Sequence, residues 1–151
     1  MIPFARHLAF AVCVLFAAVA FAVLPPEYYM HARAHADHHI QIEIHAVQPP
    51  AQTPGGCEVS GRVVTVFRSQ DGILKPGSTV SLEVDCTQPG DNLPVGPVLW
   101  HEVSHLVSAR FMEVYLDGED VGTLDVAFWQ SHVIDGPSQT PHMPQPDHGS
   151  R

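Results

Sequence analysis

Apolar and polar residues alternate along much of this chain, and the alternation sets the expected elements. Ile40-Gln41-Ile42-Glu43-Ile44-His45 repeats with period two, the pattern of a strand with one buried face. Val59 to Arg68 is β-branched and interrupted by Gly61, which predicts a second strand with a bulge or tight bend. Val80, Leu82, Val84 and Cys86 alternate with Ser81, Glu83 and Asp85, a third strand. Asp71-Gly72 and Pro76-Gly77 supply turns between the second and third.

The period then changes. At a helical repeat Leu99, Trp100, Val103, Leu106, Val107 and Phe111 share one face, so the pattern predicts one amphipathic helix over about 99–112. Met112, Val114 and Leu116 alternate again. Asp117-Gly118 turns the chain, and Val121 to Ile134 returns as a last strand that sends Phe128 and Trp129 to opposite faces. Gly136 to Arg151 is polar and proline-rich and reads as a disordered tail.

The order is three strands, a helix and two strands. It predicts a mainly β fold, a small OB-like Greek-key barrel with a single helix. One helix is too few for the crossovers of a parallel α/β sheet. The chain divides into 1–36, a signal peptide or uncleaved anchor; 37–56, a His-rich strand and Pro/Gly linker; 57–135, the barrel-like domain; and 136–151, the tail.

The N-terminal reading rests on Leu8 to Leu24, an unbroken apolar run behind Arg6 and His7 and closed by Pro25-Pro26. It is shorter than the roughly 20 residues that cross a bilayer comfortably. Ala34-His35-Ala36 fits a signal-peptidase site, and cleavage there starts the mature chain at Asp37. Export, periplasmic or secreted, follows from either form. Membrane contact is expected only through this segment, if it stays uncleaved.

Export changes the reading of the cysteines. Cys13 lies in the apolar run; Cys57 and Cys86 remain, in a compartment that permits disulfides. Cys57 sits just before the predicted strand Val59–Arg68 and Cys86 ends the next, so antiparallel pairing brings them together. A disulfide is expected.

Charge narrows the partners. The net charge is −9, with seven Lys and Arg in 151 residues, too few for the basic patch that nucleic acid requires. The partner is expected to be a protein or a small ligand.

Two histidine patterns suggest a metal. His101-Glu102-Val103-Ser104-His105 is a literal H-E-x-x-H and resembles the zincin motif over five residues. On one helix His101 and His105 would share a zinc, with Glu102 as general base. A third ligand is missing from the extended motif, where Ser108 and Phe111 stand, and both histidines fall opposite the apolar face. The preferred reading is a solvated helix face; a minimal zinc hydrolase is the alternative. The second pattern is His31, His35, His38, His39 and His45. Cleavage after Ala36 would make His39 the third residue, next to His38, and an N-terminal amine, two amides and that imidazole suit Cu(II) or Ni(II). A periplasmic protein handling Cu, Ni or Zn is therefore a further alternative. His142 and His148 read as solvated tail residues.

Neither a G-x-S-x-G elbow nor a phosphate loop is present. Trp100, Phe128 and Trp129 are candidate stacking residues. The segments GRVVTVFRS, LKPGSTVSLEVDC, FMEVYLDGE and VAFWQSHVID resemble, across roughly 57–137, small exported proteins of alphaproteobacteria with an OB or netrin-module layout. That resemblance implies an exported β domain and no particular activity. The expected function is a non-enzymatic binding or envelope-associated module.

Overall fold

A computed structural model describes residues 24–143. The apolar run before Leu24, with Cys13, and the last residues, with His148, lie outside them. No helix among the described residues is long and apolar enough to cross a membrane.

The fold is mainly β, as the alternation predicts. Six strands form one sheet: β1 (His38–Gln48), β2 (Gly55–Ser69), β3 (Thr79–Thr87), β4 (His101–Glu102), β5 (Phe111–Asp117) and β6 (Asp125–Ile134). Their order across the sheet is β4-β3-β2-β1-β5-β6. β1 is therefore central, antiparallel to β2 on one side and β5 on the other. The short β4 runs parallel to the end of β3.

The sheet curls into a half-barrel, and β1 and β2 show why. Their register slips between His39/Ile40, Gln41/Ile42 and Ile44/Ala46, and each slip bends and twists the pair. Gly61 sits beside the last of these. A Cβ there would lie 2.4 Å from the Glu43 carbonyl oxygen, so only glycine allows the two backbones to approach.

The concave face holds the main core. Ile40 and Ile42 of β1, Val59 and Val63 of β2, Leu82 and Val84 of β3, and Met112, Val114 and Leu116 of β5 are all buried there. Cys57 and Cys86 lie in the same core, joined by a disulfide with Cα atoms 5.8 Å apart. They sit diagonally across the β2–β3 pair, where Cys57 faces Val84 and Cys86 faces Gly55.

Three departures from the sequence reading matter for the site. First, the chain before β1 forms a helix, α1 (Pro26–His35). Pro26 starts it with a preset φ, Glu27 lies in its first turn, and Arg33 and His35 lie in its last, all favourable for the helix dipole. No residue of α1 is buried, so its amphipathic signal is nil. Second, the helix expected over 99–112 is confined to α2, Val103–Ser108, of which only Leu106 is buried. His101 and Glu102 pair with Cys86 and Thr87 instead, and Phe111 onward joins β1. Strand pairing at both ends outweighs the helical periodicity between them. Third, the segment following β6 is held down as far as Met143. Ser138 N donates to Gln41 Oε1, and His142 N and Met143 N donate to Glu113. That part of the proline-rich segment is fixed through backbone groups, which composition does not register.

Candidate functional site

The convex face of the sheet carries the anchor for that segment. On β1 and β5, His39 pairs with Tyr115 and Gln41 with Glu113 across the strands, all pointing away from the apolar core. All four are fully buried. The Glu113 carboxylate accepts four hydrogen bonds: from His39 Nε2 at 3.0 Å, Gln41 Nε2 at 2.7 Å, His142 N at 2.9 Å and Met143 N at 2.8 Å. Burial pushes this carboxyl up, but the hydrogen bonds from His39, Gln41 and the two backbone amides outweigh it and hold it at about 2. The His39 ring stacks on Tyr115 at 3.8 Å, and the Tyr115 hydroxyl donates to the Met143 carbonyl. Around this cluster Ala36, Tyr115, Ala127 and Met143 form a second, smaller core.

α1 lies against β6 beside that core. Arg68 of β2 donates from Nη1 to the Ala34 carbonyl at 3.1 Å and from Nη2 to the Arg33 carbonyl at 2.7 Å. It satisfies orphan carbonyls of the last helical turn. Arg33 Nε donates to Gln130 Oε1 at 2.6 Å, and the Tyr29 and Phe128 rings meet at 5.6 Å. Ala36, the proposed cleavage residue, is 4% exposed.

Between α1, residues 97–99, β6 and the C-terminal segment lies a cleft of about 410 Å³. Its polar lining is Arg33, Gln130, Ser131, His132 and His142; Tyr29, Leu99 and Met143 are among the less polar walls. Gln130, Ser131 and His132 of β6 line it, and a bulge lies just before Ser131. Val114 faces Ser131 and Leu116 faces Val126, so Tyr115 alone spans residues 127–130. Within the bulge Phe128 and Trp129 adopt φ of 45° and 60°. Two successive aromatic residues in the left-handed region cost roughly 1–3 kcal/mol each. Their rings sit 4.6 Å apart instead of on opposite faces as alternation predicts.

The histidine candidates are dispersed. His38 is buried, its Nε2 2.8 Å from the Gly118 carbonyl oxygen, and its Nδ1 accepts from Gln70 N. His39 is committed to Glu113. Both lie within the β1 ladder between β2 and β5, and His39 Nδ1 is buried without a hydrogen-bond partner among the described residues. His101 and Glu102 precede α2 and His105 lies within it, so the helical spacing of a zincin does not form. His101 points inward, with Nε2 2.8 Å from Ser131 Oγ. Burial, then the proximity of His105 and His132, pushes its imidazole down to about 4. The His31 and His35 rings lie 4.1 Å apart, tilted by 31°, on the exposed side of α1. Among the described residues no group of three or more His, Cys, Asp or Glu side chains is placed to hold a metal.

The Ser131–His101 contact has the spacing of a nucleophile and its base. Among the described residues no carboxylate hydrogen-bonds this imidazole, and the contact gives two buried polar groups a partner. Gln130 and Arg33 were the residues that sequence reasoning missed. Nothing in a periodicity marks them, because the bulge that turns Gln130 toward α1 is a tertiary feature. No protein-family model and no curated protein matches the chain.

Proposed function

We propose that the protein is an exported, non-catalytic binding module whose ligand occupies the cleft between α1 and β6. The observation that carries this reading is the bulge at Phe128–Trp129. Backbone strain of that size persists only where surrounding contacts enforce it, and it gathers at ligand-binding positions. Here it sets Gln130 against Arg33 at the wall of the cleft. The volume falls within the range of small-molecule sites.

The Cys57–Cys86 disulfide supports an oxidising, extracytoplasmic location. α1 supplies a wall of the cleft, so in this reading the chain from Pro26 onward stays with the exported domain. Cleavage after Ala36 would remove Tyr29, Arg33 and Ala36 and uncover the remaining Tyr115–Ala127–Met143 cluster.

A nuclear magnetic resonance screen with small organic fragments tests the proposal. Shift changes are expected to concentrate at the amides of Arg33, Gln130, Ser131 and His132. Changes absent there, or concentrated on the opposite face around β3, contradict it.

A further inference from the structure

We infer that the ligand of this cleft carries a carboxylate on an apolar body. The inference rests on the binding reading above and adds the chemistry of recognition.

The charge pattern points that way. The chain carries a net charge of −9, yet no Asp or Glu lines the cleft. Its lining is instead one arginine, two histidines and neutral polar groups. Arg33 is the one Arg or Lys in that lining, and the nearest carboxylate, Glu113, lies behind the wall with its oxygens taken up by His39, Gln41, His142 N and Met143 N.

Arg33 is set for the task. Its Nε is spent on Gln130 Oε1 at 2.6 Å, which fixes the plane of the guanidinium. Gln130 is itself held, its Nε2 donating to the Phe128 carbonyl at 3.1 Å. The strained bulge, Gln130 and Arg33 therefore form one chain of contacts. The two terminal nitrogens of Arg33 make no hydrogen bond among the described residues and remain as a fork. A planar fork of two parallel donors matches a carboxylate in a bidentate pair. Two other polar groups nearby are already engaged: Ser131 with His101, and the backbone N–H of His142 with Glu113.

Opposite this single anion-binding group the walls are apolar. Tyr29, Pro97, Val98, Leu99 and Met143 line them. A guanidinium fork facing these apolar walls describes an amphipathic monoanion, such as a medium-chain fatty acid.

Titration calorimetry with decanoate, decanol and decylammonium, each below its micellar range, tests this on the unmodified protein. Decanoate is expected to bind, decanol to bind at least about tenfold more weakly, and decylammonium to show no saturable heat. Arg33→Gln is expected to bring decanoate down to the level of decanol. Arg33→Lys, which keeps the charge but loses the fork, should fall between. Thermal unfolding of both variants reports whether α1 and the sheet remain intact; the comparison of the three probes on the unmodified chain needs no variant. Equal affinity for decanoate and decanol overturns the carboxylate and leaves the cleft as a binding site. No binding of any of the three overturns the inference as a whole, and the fragment screen then reports on the cleft separately.

Discussion

Replacing Glu113 by glutamine is the sharpest perturbation this fold offers. The substitution keeps the shape and removes the charge, in a side chain with no solvent exposure. The carboxylate receives four hydrogen bonds, from His39, Gln41, His142 N and Met143 N. An amide has one oxygen to offer them, and its NH2 group is turned toward donors. At least one buried donor is left without an acceptor, at about 1–3 kcal/mol, and the charge-assisted bonds that remain are weakened. The same hydrogen bonds show in the titration of the carboxyl. A carboxyl held at about 2 in the folded chain and at 4.5 when unfolded contributes ~3 kcal/mol above pH 4.5. Because the folded value is the lower one, that contribution is lost as pH falls from about 4.5 toward 2.

Both routes give a loss of roughly 3 kcal/mol, or about 10 °C in Tm for a domain of this size. Thermal unfolding at neutral pH measures it. Hydrogen exchange locates it, because the amides of His142 and Met143 should change from slow to fast while those of β2 and β3 stay slow. Glu113→Gln should also remove the acid destabilisation between pH 4.5 and 2. An unchanged Tm with His142 and Met143 still protected would refute the claim that this carboxylate anchors the C-terminal segment.

Other expectations follow from the same structure. Reducing the Cys57–Cys86 disulfide opens a loop of separation 29 and should cost ~3–4 kcal/mol in the chain-entropy model, read from urea unfolding with and without reductant. Trp129→Gly relieves a left-handed φ of 60°, so it should be more stable than Trp129→Ala by about 1 kcal/mol; equal stability would remove the argument from strain. Gly61→Ala drives a Cβ to 2.4 Å from the Glu43 carbonyl oxygen and should destabilise by about 1–3 kcal/mol, checked by the same unfolding curve. His101 is depressed to about 4 from 6.5, so its neutral burial stabilises above pH 6.5 and that contribution is lost as pH falls toward 4; in His101→Gln the stability curve should be flatter over that range.

The strands and the disulfide were legible because both follow from period two. Alternation in Val80–Cys86 and Met112–Leu116 marks a buried face directly, and antiparallel pairing of the second and third strands carries the cysteines together. What escaped notice is held by polar groups acting at a distance in sequence. α1 buries no residue of its own and is docked by Arg68 and Gln130, so its residues look like a processing region rather than an element. Gly136 to Met143 looks disordered because its anchors are backbone N–H groups received by Gln41 and Glu113. The helix over 99–112 was over-read for the opposite reason. Its apolar spacing is real, but pairing of His101–Glu102 with β3 and of Phe111 with β1 decides the backbone. Even Ile40–Ile42 is more than the half-buried strand its alternation predicts, since His39 and Gln41 on the other face are buried under the C-terminal segment.

In the function proposed above, α1 stays with the mature domain and completes its cleft. An intact mass of the native protein, isolated from the extracytoplasmic fraction of its own cells, decides this. The expected chain begins upstream of Pro26 and is lighter by two hydrogens for the Cys57–Cys86 bond. A mature chain beginning at Asp37 would contradict it, for it would lack Tyr29, Arg33 and the wall they form.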